Sequence, residues 1–244
     1  MGITNSNKTI SVDRIECDGT LRVTLALTAA PDIVTNPTDI ALVLDRSGSM
    51  TGTPLTNMKA GADTFIDIIA EATGGTADGQ IGSGSHIGIV SFSSTATADT
   101  QLITSVATLK NAVNSLTAGG STNHGDAFTK AIELFDAAST NHKVIVMFTD
   151  GNTTAGAPPA PVAAAARAQG IVIYCIGLVG SDGVDVEVLN DWATDPAATH
   201  VAVTPDTADL EKLFAELAAN ISKTGATNIC LLYTSPSPRD RSLS

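Results

Sequence analysis

The chain has 244 residues, 43% of them hydrophobic and 16% charged, a composition that builds a globular core and excludes collagen, coiled coil and wholesale disorder. Asp and Glu outnumber Lys and Arg by 25 to 13, for a formal charge of −12, which argues against nucleic-acid binding or a polybasic membrane-surface role, since both need a basic face. With only six Phe, two Tyr and one Trp, the core must come from small aliphatics, and stacking platforms for bases or sugars are scarce.

Taken in chain order, segments 9–15 and 21–27 alternate apolar and polar residues around Asp18-Gly19 and read as a two-stranded hairpin. Pro31 and Pro37 mark a linker. A lone hairpin cannot bury itself, so 1–37 is expected to be part of an incomplete β-sandwich. From residue 38 the pattern changes. Ile40-Ala41-Leu42-Val43-Leu44 is a continuous apolar run, the mark of a strand buried on both faces. Leu55, Met58, Ala62, Phe65, Ile66 and Ile69 recur at helical spacing, and a Gly-rich loop follows over 74–84. Segment 87–92 is a strand; 104–116 and 124–137 are helices separated by the tight Ala118-Gly119-Gly120-Ser121 loop. Segment 144–148 is a strand, 158–169 an Ala-rich helix with prolines at its start, and 171–178 a strand. A short helix over 185–193, a short strand over 200–203 and an amphipathic helix over 206–222 complete the series, with Asp206 and Asp209 at the positive end of the last helix.

Strands alternating with helices predict an α/β fold: a doubly wound, mostly parallel sheet flanked by helices over 38–223, with the short N-terminal hairpin appended. Segment 224–229 reads as the opening of a further, truncated strand. The tail over 230–244 has no period beyond its first residues and resembles a translated adaptor or vector sequence, so it is expected to be non-native; a natural disordered terminus is the alternative. No apolar stretch approaches the roughly 20 residues of a transmembrane helix, and the first 20 residues hold no signal-peptide core. Cys17, Cys175 and Cys230 are too few for a disulfide scaffold and include no CxxC pair. The four histidines show no HExxH spacing and read as structural or surface residues, with His124 the exception because it stands two residues after Thr122.

In such sheets ligands bind at the carboxyl ends of the strands. There the chain reads Asp45-Arg46-Ser47-Gly48-Ser49, three oxygen donors at spacing i, i+2, i+4, a set that suits a hard divalent cation such as Mg2+. Thr122 follows on the Gly119-Gly120-Ser121 loop, and Asp150 stands at another strand end in Phe148-Thr149-Asp150-Gly151. Each piece alone has a plainer role: Asp45, Ser47 or Thr122 as a helix cap, Asp150-Gly151 as a turn. Together they form an all-oxygen set whose two negative charges only balance a divalent metal, so the site gains from one more anionic ligand, a partner's Asp or Glu.

On these residues the chain from about 38 to 222 resembles a von Willebrand factor type A domain with its metal-ion-dependent adhesion site. The likeness extends to Ile87-Gly88-Ile89-Val90-Ser91-Phe92 and Gly125-Asp126-Ala127-Phe128. The resemblance implies a Mg2+ site (or Mn2+ or Ca2+) with Ser47, Ser49 and Thr122 as hydroxyl ligands, and Asp45 and Asp150 acting directly or through waters. A rim of Arg46, Ser121, Asn123, His124 and Gly151 would surround a position left open for a partner carboxylate. Gly48 is read as letting the loop turn tightly. The implied function is cation-dependent protein binding or adhesion, not enzymatic turnover, at a cell surface or outside the cell, with the cytoplasm as the alternative. The resemblance also implies that the last helix shifts on binding. Two alternatives are a subunit of an intracellular chelatase-like assembly and a Mg2+-dependent hydrolase. Against the latter, Ser47 stands where a second Asp is needed, and P-loop, GxGxxG and GxSxG patterns are missing.

Overall fold

The computed structural model describes residues 3–10, 23–29, 37–76, 79–82, 84–178 and 183–204. The expected turn at Asp18-Gly19, the expected helix over 206–222, segment 224–229 and the tail lie outside the described residues. The chain divides into two compact units, one holding the N-terminal strands and the other spanning Thr35–Lys223.

Strands β1 (Ile3–Ile10) and β2 (Val23–Ala29) pair antiparallel as a sheet of their own. Ile10 pairs with Val23 and Ile3 with Ala29, so β1 begins earlier than the alternation predicts, and the rest of the expected strand, 11–15, lies outside the described residues. Its Thr, Asn and Ser residues carry no apolar period, and a backbone ladder does not require one.

In the larger unit, β3 (Thr38–Asp45) is the centre of a six-stranded sheet ordered β5-β4-β3-β6-β7-β8. Strands β4 (His86–Phe92), β6 (His142–Thr149), β7 (Val172–Leu178) and β8 (Val201–Thr204) run parallel, and β5 (Ala96–Ala98) is an antiparallel edge on β4. This is the doubly wound, mostly parallel α/β sheet that the alternation predicts. The continuous apolar run of β3 is explained by burial on both faces. Ile40, Leu42 and Leu44 pack with Met58, Phe65 and Ile66 of α1 (Thr53–Ala72) and with Leu109 and Val113 of α2 (Val106–Ser115). Ala41 and Val43 face Ala127, Phe128 and Ala131 of α3 (His124–Glu133), Ala163 and Ala166 of α4 (Pro159–Ala168), and Trp192 of α5 (Val186–Trp192). Each fully buried large aliphatic or aromatic side chain contributes about 1.5–3 kcal/mol. The small residues on this second face bring the helices close, and Trp192 fills the space beside them, meeting Phe128 edge-on at 5.7 Å. Cys175 is buried, and burial pushes its thiol well above the ordinary range, as expected of an unreactive core residue.

Three local features differ from the periodicity. β5 and the single turn α6 (Ala197–His200) are too short to carry one. Helix α3 stops at Glu133 rather than 137, because Asp136 turns its carboxylate onto the Ala138 N–H and closes a turn.

The topology also selects the functional end. From β3 the chain crosses to β4, on one side; from β6 it crosses to β7, on the other. The connections leaving these two neighbours therefore diverge, which opens a crevice at their carboxyl ends. The register pairs Leu44 with Phe148, so Asp45 and Thr149 end at the same level. Phe128→Ala should cost about 3–5 kcal/mol, read by urea unfolding through the fluorescence of the single, buried Trp192.

Candidate metal centre

Asp45, the last residue of β3, has 0% exposure. Its Oδ1 accepts the Ser47 N–H at 2.8 Å and its Oδ2 accepts the Thr149 hydroxyl at 2.7 Å. Ser47 is likewise buried, and its hydroxyl lies 3.1 Å from that of half-buried Ser49. The chain then makes one 3-10 turn, Gly48–Met50, anchored by buried Met50, and α1 starts only at Thr53. No side chain caps α1, so Asp45 and Ser47 are not spent on capping it. Thr122 is not a cap either: the Asn123 side chain takes that role on α3 by accepting the Asp126 N–H at 3.1 Å. Asp150 half satisfies the turn reading. Its Oδ1 accepts the Asn152 N–H at 3.2 Å, while its Oδ2 is buried and has no hydrogen-bond partner.

Main-chain bonds hold the three loops together. The Gly48 N–H donates to the Gly120 carbonyl at 2.9 Å, and the Gly119 N–H donates to the Arg46 carbonyl at 2.8 Å. A Cβ on Gly48 would stand 3.3 Å from that Gly120 oxygen, so the glycine provides close approach. Thr122 is clasped by the β6–α4 loop. Its N–H donates to Thr154 Oγ1 at 2.9 Å, and its carbonyl accepts the N–H groups of Thr154 and Ala155 at 3.0 and 3.1 Å.

Burial raises the Asp45 pKa from 3.8 to about 6; hydrogen bonds from Ser47 and Thr149 oppose the rise, and the negative charge of Asp150 adds to it. No salt bridge among the described residues involves either carboxylate. Nor does any group of three or more His, Cys, Asp or Glu converge among them. The donors gathered here are carboxylates and hydroxyls, a set that fits a hard cation rather than a thiophilic one. The orphaned Asp150 Oδ2 and the desolvated Asp45 are what a missing positive charge would satisfy.

The expected rim is only partly a rim. Ser121 is exposed, and its N–H donates to Ser94 Oγ at 3.0 Å. Asn123 caps α3 and donates to the Ser94 carbonyl at 3.2 Å. Arg46 is half-buried and donates from Nε to Ser91 Oγ at 3.2 Å, back along β4. Gly151 is buried at φ 87° and donates its N–H to Thr149 Oγ1 at 3.1 Å. His124 is not on the rim at all. It has 0% exposure, because the first turn of α3 faces the sheet, and its ring lies 5.0 Å from Phe92 and 4.6 Å from Trp192. Burial lowers its pKa to about 3, so it is neutral. Three participants escape the motif reading: Thr149, Thr153 and Thr154. Thr149 had a signal, since it follows Ile145 and Met147 on the strand face that α3 covers. Beside the centre opens a cavity of about 670 Å³, whose lining includes Gly151, Asn152, Pro159, Asp185, Asp191 and Trp192.

Solved structures share this fold. A von Willebrand factor type A protein from Catenulispora acidiphila is 24% identical, with TM-score 0.63, over 82% of this chain and 45% of that one. The vWF domain of a type V pili tip protein from Porphyromonas gingivalis is 17% identical, with TM-score 0.66, over 77% of this chain and 96% of that one. Proximal thread matrix protein 1 from the mussel byssus, solved with a zinc-occupied MIDAS motif, is 23% identical, with TM-score 0.58, over 77% of this chain and 48% of that one. At these identities the likeness is one of fold, and the chain spans less than half the length of the first and third. Among curated protein sequences no match is found. The model of the von Willebrand factor type A domain matches residues 39–216, most of the sheet and its helices, and the chain belongs to that family.

Proposed function

We propose that this domain is a divalent-cation-dependent protein-binding module, and that Asp45, Ser47, Ser49, Thr122 and Asp150 form its metal-ion-dependent adhesion site. The observation that carries the reading is the buried carboxylate pair at the β3–β6 crevice, with Asp150 Oδ2 unpartnered, beside the Ser47 and Ser49 hydroxyls. A bound Mg2+ (or Mn2+ or Ca2+) would supply two positive charges, and with them attraction for an Asp or Glu side chain of a partner protein. Ser47, Ser49 and Thr122 offer neutral hydroxyls, while Asp45 and Asp150 contribute the negative charge, directly or through water. Two charges against two leave the cation short of anionic ligands, which favours a carboxylate from outside.

The cavity next to Gly151 gives the partner's neighbouring side chains a place to seat, and Asp185, Glu187 and Asp191 on its wall favour basic ones. The mussel byssus protein holds zinc in a MIDAS motif, and the Porphyromonas domain belongs to a pilus tip. The first supports a metal-binding reading of this site, and the second a binding role at a cell surface. Among the described residues no helix is long and apolar enough to cross a membrane.

Calorimetric titration of Mg2+ or Mn2+ into the whole chain tests the centre. Asp45→Ala and Thr122→Ala should each weaken binding at least about 10-fold; affinities equal to wild type would sink the reading. A second test uses the raised Asp45 pKa. Between 3.8 and about 6 the native state binds more protons than the unfolded one, so cation-free stability falls as pH rises through that window. By pH 7.5 the ionised carboxylate costs on the order of 3 kcal/mol. In EDTA, Asp45→Asn should therefore melt higher than wild type at pH 7.5, with the advantage fading towards pH 4. Added Mg2+ should raise the melting temperature of wild type alone.

A further inference from the structure

The buried histidine is absorbed by neither the ligand set nor the rim. His124 Nε2 lies 2.6 Å from Thr149 Oγ1, and Nδ1 lies 2.8 Å from Thr153 Oγ1. Proton counting assigns the direction of each bond. Thr149 has one hydroxyl proton, and Asp45 Oδ2 takes it at 2.7 Å. Thr149 therefore accepts from its other neighbours, the Gly151 N–H at 3.1 Å and His124 Nε2. That requires the proton of the neutral ring to sit on Nε2, which leaves Nδ1 to accept the hydroxyl of Thr153. The chain Thr153, His124, Thr149, Asp45 thus donates in one direction, from an exposed loop residue to the buried carboxylate. The ring cannot turn away, since Phe92 and Trp192 pack on it. The same loop clasps Thr122 through Thr154 and Ala155, and its Thr153 lines the cavity.

We propose that His124 is a positioning residue: as the Nε2–H tautomer it holds the Thr149 hydroxyl on Asp45 and ties that carboxylate to the 152–155 loop, making centre and loop one hydrogen-bonded unit. The part that concerns cation affinity rests on the proposed function; the hydrogen-bond assignment does not.

The first test needs no metal. In 15N-labelled whole protein in EDTA at pH 7.5, imidazole correlation spectra should show His124 protonated on Nε2. Asp45→Asn should switch it to the Nδ1–H form. The Asn oxygen must keep accepting the Ser47 N–H, so its NH2 faces Thr149, whose proton then turns to His124. An Nδ1–H ring in wild type, or the same tautomer in both proteins, overturns the proposal. The second test separates the two links. His124→Gln keeps an N–H donor where Nε2 stands; His124→Asn keeps an acceptor where Nδ1 stands; His124→Leu keeps only the volume. With native circular dichroism and cooperative melting in EDTA as the folding control, Gln should hold Mg2+ within about 3-fold of wild type, while Asn and Leu lose about 10-fold or more. Amide exchange over 152–155 should quicken in Gln and Leu but not in Asn. A folded Leu variant with wild-type Mg2+ affinity defeats the coupling to the centre. If wild type itself binds no cation, the proposed centre fails, while the tautomer result still decides the role of His124.

Discussion

A carboxylate held out of water at the end of the most deeply buried strand is the constraint around which the domain is arranged. Asp45 has a partner for each oxygen, yet no basic residue among the described ones forms a salt bridge with it. Such a group is costly to bury. The cost can be sustained only because β3 is central, bonded along its length to β4 and β6, and covered by helices on both faces. The stability of the apolar layers offsets a polar cluster that opposes folding when nothing positive is bound.

The frame was legible because its strands are buried on both sides. Ile40 to Leu44 and Val144 to Phe148 could be read as central strands without any partner in view, and α1 by its spacing alone. The candidate donors Asp45, Ser47, Ser49, Thr122 and Asp150 could be picked out together because their pattern spans three separate loops, which the fold brings to one end of the sheet. What escaped depends on facing. His124, Ala127, Phe128 and Ala131 fall at i, i+3, i+4 and i+7, so the histidine stands on the apolar stripe of its own helix. Its nearness to Thr122 in sequence drew it onto the rim; the helix period would have placed it inside. Thr153 and Thr154 carry no such period, and only tertiary contact reveals their bonds.

The two kinds of polar group in this domain are treated differently. Exposed pairs such as Lys130 and Glu133, at 2.7 Å, sit in water and contribute little. The set around Asp45 is bonded in sequence through Thr149, His124 and Thr153, so its members act as a unit rather than as separate pairs. The family frame sets where this cluster stands, and a neutral imidazole packed between two aromatic rings gives it direction.

The walls of the crevice are joined by main-chain atoms. Gly48 meets Gly120 and Gly119 meets Arg46 through amide and carbonyl groups, and Thr154 and Ala155 meet Thr122 in the same way. Amide contacts of this kind do not depend on the identity of the side chains they carry. Residues at the opening such as Ser121 and Asn152 can therefore be exchanged while the inward hydroxyls and carboxylates keep their places. On the proposed reading, the domain separates the chemistry that would grip an acidic side chain from the surface that would choose whose side chain it is, and selection can rewrite the second without rebuilding the first.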